Sequence, residues 1–361
     1  MGTKKIVADD AGALRKRARL LASDFGKFYT PECLCRLLTR LAGKPGRVLD
    51  PACGCGQLLV YAADYLGDSF YVGQEINAES CELARKNLHE NGIDRHEIIN
   101  CDTLEFPITW EEKFDCVLAN PPFSIKWNPD AVPFDPRFNV YAPRGKADLA
   151  FVQHGLFWLQ DGGTAGYILF PGALYRGGAE QKIREQFLPY VRAVVALPAK
   201  LFDETAIATA LVLFEKAPSD EPILFVDASQ MYEAKQKKLN VISDEQVAEL
   251  VSIVTERREI EERSKLVERS AIKNCNLSPN VYVEKKIEKA NLYDGRSLLE
   301  VIRDGEAYAE YSYRHSLQMY ANLRKTMGYE YNQADLDFDV EAIKPETYDY
   351  MLAEARSGKS S

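Results

Sequence analysis

The sequence predicts an α/β fold: a doubly wound, mainly parallel sheet with a helical C-terminal extension. Two observations predict it. Short β-prone runs alternate with segments of helical period from residue 47 to about residue 215. From Pro218 onward the texture changes to charged, largely helical sequence, and eight of the nineteen tyrosines lie in residues 308–350, which marks that stretch as a distinct extension.

The elements follow in order. DDAGALRKRARLLA (9–22) reads as a basic helix, broken at Ser23-Asp24. Pro31 suits the first turn of a helix through ECLCRLLTRLA, which ends at Gly43. RVLD (47–50) is a strand, QLLVYAADYL (57–66) a helix and SFYVGQE (69–75) a strand. AESCELARKNLHENG (78–92) is a helix closed by Gly92, and EIINCD (97–102) and FDCVLAN (114–120) are strands. ADLAFVQHGLFWL (147–159) is a helix stopped by Asp161-Gly162-Gly163, with a strand at 164–170. A helix over 179–191 precedes strands at 192–197 and 208–215. One more strand is expected at 223–228, then a long charged helix from Asp244 to Ser270. Three parts are expected: an N-terminal segment (1–30), a central α/β domain (31–217) and the extension (218–361).

The chain has 361 residues, 46% apolar and 27% charged, so it can bury a core without staples and is not a disordered chain. No apolar run approaches the ~18 residues of a spanning helix. MGTKKIVADDAG carries no apolar signal core, so the cytosol is the expected compartment. The eight cysteines, at 33, 35, 53, 55, 81, 101, 116 and 275, do not form a secreted disulfide framework. Their close pairing and the four histidines also fall short of a zinc pattern, so reduced, mostly buried thiols and no metal are expected. The net charge of −9 argues mildly against nucleic acid as a sole partner. The distribution qualifies it: residues 1–49 hold eleven Lys or Arg against four Asp or Glu, whereas residues 217–361 hold 20 against 27.

Four sites carry chemistry. Asp50-Pro51-Ala52-Cys53-Gly54-Cys55-Gly56 leaves a strand end and enters a helix, where glycines admit close approach and free N–H groups meet a carboxylate or phosphate. Without a GKS or GKT ending it is no triphosphate loop. Glu75 ends the next strand and suits ribose hydroxyls, though an exposed strand-end charge reads the same way. Asp102 ends the third strand and could meet an adenine amino group or only cap the following turn. Three successive acidic strand ends favour an adenosine-type cofactor. The sharpest is Asn120-Pro121-Pro122-Phe123: two prolines stiffen the backbone, fixing the Asn oxygen and the next carbonyl as acceptors beside an aromatic face. That suits a planar group bearing an amine. A rigid strand-ending loop is the plain alternative for the tetrapeptide by itself.

As an ordered set these motifs resemble the adenine-N6 DNA methyltransferases, and more closely the methyltransferase subunit of type I restriction–modification systems. The resemblance rests on FGKFYTP, DPACGCG, YVGQE, CDTL, LANPPF and KADLAFVQH. It continues through GYILFPGALYRGGAEQKIREQF, VVALPAKLF, TAIATALVLFEK and NLSPNVYV, over roughly residues 13–283. It implies a seven-stranded, Rossmann-like fold and S-adenosylmethionine as methyl donor. Phe28, Tyr29 and Thr30 would line the methionine and base side. Asp50, Ala52, Cys53, Gly54 and Gly56 would hold the amino-acid end, with Asn120 also beside the cofactor. Glu75 would bind the ribose, and Asp102 with Thr103 the cofactor adenine. A flipped-out adenine would stack on Phe123, with Tyr29 as a second candidate, while Asn120 and the Pro121 carbonyl accept its N6–H bonds. Asp148 would shape the base pocket or simply favour its helix N-terminus. Two departures stand out. Members of the family carry a helical domain before FYTP where about two dozen residues precede it here, and Cys55 stands where a small hydroxyl residue is usual. Implied partners are DNA, a separate specificity subunit and a restriction subunit, with no membrane. Alternatives are a methyltransferase for a protein glutamine or an RNA base, or a non-catalytic scaffold. With the acidity confined to the extension, the charge balance no longer opposes a DNA substrate; it suggests that the chain does not hold DNA alone.

Overall fold

Among the described residues, the first turn of regular structure follows from Pro31, whose extended ψ of 143° sets the entry to α1 (Glu32–Ala42). Leu34, Leu37, Leu38 and Ala42 recur at helical spacing and are buried, and the Gly43 N–H closes the helix on the Thr39 carbonyl. The computed structural model describes residues 30–106, 110–202, 207–234 and 239–284. The expected basic helix at 9–22, Phe28, Tyr29 and the tyrosine-rich C-terminal helices lie outside the described residues.

Next come β1 (Arg47–Asp50), α2 (Gln57–Leu66), β2 (Phe70–Glu75), α3 (Ala78–Glu90), β3 (His96–Asn100) and β4 (Phe114–Ala119). They are followed by α4 (Asp148–Trp158), β5 (Leu159–Leu169), α5 (Ala179–Phe187), β6 (Val191–Ala196), β7 (Ala210–Glu215) and β8 (Ile223–Asp227). A small antiparallel pair, β9 (Glu233–Ala234) and β10 (Asn240–Val241), precedes α6 (Asp244–Thr255) and β11 (Ser264–Val267). Among the described residues nine strands form one sheet in the order β11-β8-β6-β7-β5-β4-β1-β2-β3. Strands β1 to β5 run parallel, β7 is antiparallel to both neighbours, and β8 is parallel to β6. The seven strands expected by resemblance are the β3-to-β6 part of this order; β8 and β11 extend it.

Both faces of the sheet are covered, which is why its strands read as nearly continuous apolar runs. In β4, Cys116 and Leu118 face one core with α1, α2, α3 and α6, while Val117 and Ala119 face the other with α4 and α5. Helix α4 is buried along almost its whole length, because residues 124–147 cover its outer side with Trp127, Val132 and Phe138.

Three expectations change. The long helix expected over 244–270 stops at Thr255: the apolar spacing ends at Ile253, and Arg257 (φ +52°) and Glu262 (φ +63°) turn the chain back into the antiparallel edge strand β11. Strand β5 begins at Leu159 instead of 164, because Asp161-Gly162-Gly163 stays in the ladder as an irregularity, with Gly162 N–H on the Lys216 carbonyl at 2.8 Å. The boundary expected at 217/218 falls within the sheet, between β7 and β8; contacts instead divide the chain into Met1–Lys286 and Ile287–Ser361. Among the described residues no helix is long and apolar enough to cross a membrane.

The late segment NLSPNVYV closes onto the sheet. Leu277 N–H meets the Leu174 carbonyl at 2.9 Å, and the Tyr282 ring lies 4.3 Å from that of Phe225. Arg184, fully buried, holds this corner by donating to the carbonyls of Cys275 (2.8 Å), Ala173 (3.0 Å) and Arg176 (2.6 Å). Replacing it leaves buried acceptors unpaired. Arg184→Leu is therefore expected to lose about 3 kcal/mol of stability, read as a lower urea midpoint at unchanged slope.

Candidate functional site at the carboxyl edge of the sheet

The chain runs β1, β2, β3 outward in one direction and then returns to place β4 on the other side of β1. The crevice at such a reversal lies beyond the carboxyl ends of the strands. Asp50 ends β1, Glu75 ends β2 and Asn120 follows β4, so three of the four sequence motifs emerge side by side. Asp102 lies beyond β3 in the turn that follows.

Asp50 is buried, and its Oδ1 accepts the Ala52 N–H at 3.0 Å. Burial is the main cause that pushes its carboxyl up to about 7; the Ala52 hydrogen bond opposes this and the Glu75 charge adds to it. Gly54 (φ +53°) and Gly56 (φ +77°) take left-handed angles, and a Cβ on Gly56 would stand 3.2 Å from that of Ala84. The turn thus packs against α3, with Cys53 N–H on the Gln74 carbonyl at 2.9 Å and Gly56 N–H on the Cys53 carbonyl at 2.8 Å. Glu75 braces it: one oxygen accepts the Gly54 N–H at 3.1 Å and the other the Asn77 N–H at 2.8 Å. Ala52 is half-buried against the core and Cys53 is buried, its thiol raised mainly by burial. Burial likewise lifts Cys55 to about 11, so neither is a ready thiolate.

Asp102 uses Oδ1 to accept the N–H groups of Leu104 (2.9 Å) and Glu105 (3.0 Å), the turn-capping role open to it from sequence. Thr103 is buried and donates to the Pro51 carbonyl at 2.7 Å, tying this turn to the first motif. Ile76 (63% exposed) and Phe106 (68% exposed) put apolar surface beside the two acids.

At the other wall, the Asn120 Nδ2 donates to Thr30 Oγ1 at 2.9 Å, while its Oδ1 is enclosed and has no hydrogen-bond partner among the described residues. An amide oxygen in that state is held ready to accept. Pro121 is buried, Pro122 half-buried, and the Phe123 ring meets buried Phe202 edge-on at 5.8 Å. Asp148 begins α4 and is buried; Oδ1 accepts the Ser124 N–H at 3.2 Å, while Oδ2 has no partner among the described residues. Asp148 thereby fixes the exit of the Asn120–Phe123 loop.

The motifs and their order decide the family. Residues 11–291 match the model of the N-6 DNA Methylase family. The chain belongs to that family. It is 38% identical over 298 residues to the type I restriction enzyme MpnII methylase subunit of Mycoplasma pneumoniae, covering 74% of this chain and 54% of that protein. The MjaVII methylase subunit of Methanocaldococcus jannaschii is 33% identical, with 78% and 53% covered. The type I methyltransferase subunit of Streptococcus thermophilus, a crystal structure, superposes with a TM-score of 0.67 at 32% identity, covering 71% of this chain and 59% of that one. The chain spans about half the length of the curated relatives it matches.

Sequence reasoning missed what braces this site. Buried Arg137 pairs with Asp135 at 2.7 Å and donates to the carbonyls of Thr103 (2.7 Å) and Leu104 (2.8 Å). Its Nη1 also donates to His154 Nδ1 at 2.7 Å, so the proton sits on Nε2, which donates to Gln74 Oε1 at 2.9 Å. Burial, with Arg137 beside it, drives the His154 pKa well down and keeps the ring neutral. Gln74 passes the chain on to Cys101 Sγ at 3.5 Å. His154 was visible in sequence only as a scarce residue type. Phe202 belongs to the LPAKLF block, but nothing local marks its contact with Phe123. Among the described residues no group of three His, Cys, Asp or Glu could hold a metal.

Asp50 makes a testable statement. Its folded pKa, about 7, lies above the ordinary 3.8, so between those values the folded state holds the extra proton and stability falls as pH rises. Asp50→Asn keeps the acceptor and cannot ionise. Its stability relative to wild type should climb from pH 4 to pH 8, by about 4 kcal/mol at most, in urea unfolding at both ends.

Proposed function

We propose that the chain is an S-adenosylmethionine-dependent DNA adenine N6-methyltransferase, working as the modification subunit of a type I-like restriction–modification system. The observation that carries this reading is the Asn120 Oδ1 at the carboxyl edge of β4, without a hydrogen-bond partner among the described residues and next to the proline-stiffened Phe123 face. Family membership supports DNA adenine over a protein glutamine or an RNA base.

The residues fit the cofactor. The Gly54–Gly56 cradle admits a close ligand, Asp50 suits its cationic end, Glu75 the ribose hydroxyls, and Ile76 and Phe106 the flat adenine with Asp102 and Thr103 at its edge. Once bound, S-adenosylmethionine supplies an activated methyl group. The chain's own contribution is positioning and electrostatics. Asn120 Oδ1 and the Pro121 carbonyl accept the two N6–H bonds of a flipped adenine, raising the nucleophilicity of its nitrogen. Phe123 stacks on the base, which a duplex would otherwise enclose. Thr30, by engaging Asn120 Nδ2, orients the amide oxygen toward the substrate. Asp148 holds the Asn120–Phe123 loop in register. Phe28 and Tyr29 complete this wall in the reading from resemblance. The names of the relatives, methylase subunits of type I restriction enzymes, support a specificity subunit and a restriction subunit as partners and a cytoplasmic place beside DNA.

Asn120→Ala is expected to abolish adenine methylation while leaving cofactor binding nearly intact. Sequencing methylated adenine in host DNA with and without the variant, alongside calorimetry, checks both halves; full methylation by the variant refutes the role. Asp50 supplies a second check. A cation settling beside it favours its ionised form, so cofactor binding near pH 7 should release a fraction of a proton. Calorimetry in two buffers of different ionisation enthalpy measures that release, and Asp50→Asn should remove it.

A further inference from the structure

Between the Asn120–Phe123 loop and α4 the chain makes one excursion, residues 124–147. Its two limbs are joined at the root: Ala147 N–H meets the Ile125 carbonyl at 3.1 Å and Trp127 N–H the Arg144 carbonyl at 3.0 Å. From there it crosses the carboxyl edge of the sheet to the turn beyond β3. Asn128 N–H reaches Glu105 at 2.6 Å, and Arg137 reaches the carbonyls of Thr103 and Leu104. The excursion therefore borders the crevice on both sides, from the Asn120 wall to the Asp102 wall.

Its apex is unusual. Val132 (5% exposed), Arg137 (5%) and Phe138 (4%) are buried, yet Phe134 is 99% exposed. Phe134 also has φ +61°, a backbone angle that a bulky residue avoids. The conformation is enforced from both sides. Tyr141 Oη donates to the Val132 carbonyl at 2.7 Å, and the buried Asp135–Arg137 pair clamps the next residue. An aromatic ring thus projects into water from backbone that is fixed on both flanks. The excursion holds four basic and two acidic side chains. Both acids are engaged by arginines, Asp135 by Arg137 and Asp130 by Arg144, which leaves Lys126 and Lys146 to make it net positive.

We propose that Phe134 is a wedge that enters duplex DNA and fills the gap in the base stack when the target adenine turns out. The inference rests on the reading that the Asn120 site takes a base from DNA. Extrusion leaves a hole between neighbouring base pairs, and an inserted apolar ring restores stacking there. An exposed ring on a net positive arch that borders the crevice meets both requirements, stacking and phosphate attraction.

The test uses the full chain purified from its host as the assembly it forms there. The methylated sequence is first read from host DNA, and two oligonucleotide duplexes are made, with the target adenine opposite thymine or opposite an abasic site. Phe134→Ala should methylate the paired duplex at least ten-fold more slowly than wild type. On the abasic-opposed duplex, where extrusion is easier, it should come within about two-fold, with cofactor affinity unchanged on both. Phe134→Trp should retain most of the paired-duplex rate. Equal rates of Phe134→Ala and wild type on the paired duplex overturn the wedge. An equal loss on both duplexes also overturns it, since that is the signature of a pocket or protein contact. If the host DNA holds no methylated adenine that depends on this chain, the DNA reading itself falls, and the wedge with it.

Discussion

Strands β1 and β4 lie side by side, yet the chain reaches them from opposite directions. Everything chemical in the molecule depends on that reversal. Elsewhere along the sheet the connections leaving neighbouring strands cover each other; here they part and leave backbone open at the carboxyl edge. The glycine turn after β1 and the proline turn after β4 therefore become the facing walls of one crevice. The two turns meet opposite demands. The first must admit a ligand close to bare backbone, and the second must hold an amide and an aromatic ring without drift.

The crevice is stiffened by polar groups placed deep in an apolar setting. Such groups stabilise only when fully satisfied, and the Arg137–His154–Gln74 chain meets that condition from donor to acceptor throughout. It joins the turn beyond β3, the core of β2, the outer surface of α4 and the excursion over the edge. These are the elements that carry Asp102, Glu75, Asp148 and the rim. Geometry at the cofactor side and geometry at the base side are thereby one mechanical problem.

Much of this was legible in the sequence because its signals are local. A strand run followed by Asp-Pro-Ala-Cys-Gly, by Glu or by Asn-Pro-Pro-Phe announces both the element and the group that leaves it. The sheet order entered by way of resemblance, since periodicity alone does not order strands. Other features depend on partners remote in sequence. Gln74 and His154 meet across 80 residues, and neither neighbourhood hints at the other. Strand β11 was hidden for a different reason: it is a four-residue edge strand in charged sequence, where helical and extended readings compete and only pairing with β8 decides. Asp102 shows the converse, a local role in turn capping that was equally visible from the start.

Helix α4 has a consequence for how the protein could change over time or by design. It has little solvent-facing surface, limited to Leu156 and Phe157 near its end, since the sheet lies beneath it and the excursion above. The surface nearest the crevice is therefore continuous with the hydrophobic core. In many enzymes a loop over the site can be lengthened, trimmed or exchanged at little expense to folding. Here the same operation would strip Trp127, Val132 and Phe138 from the lid of a buried helix. Only the few side chains that point outward from the arch are open to independent variation. New contacts with a substrate or partner would have to arise by single replacements there, because wholesale grafting of the segment would unroof the fold.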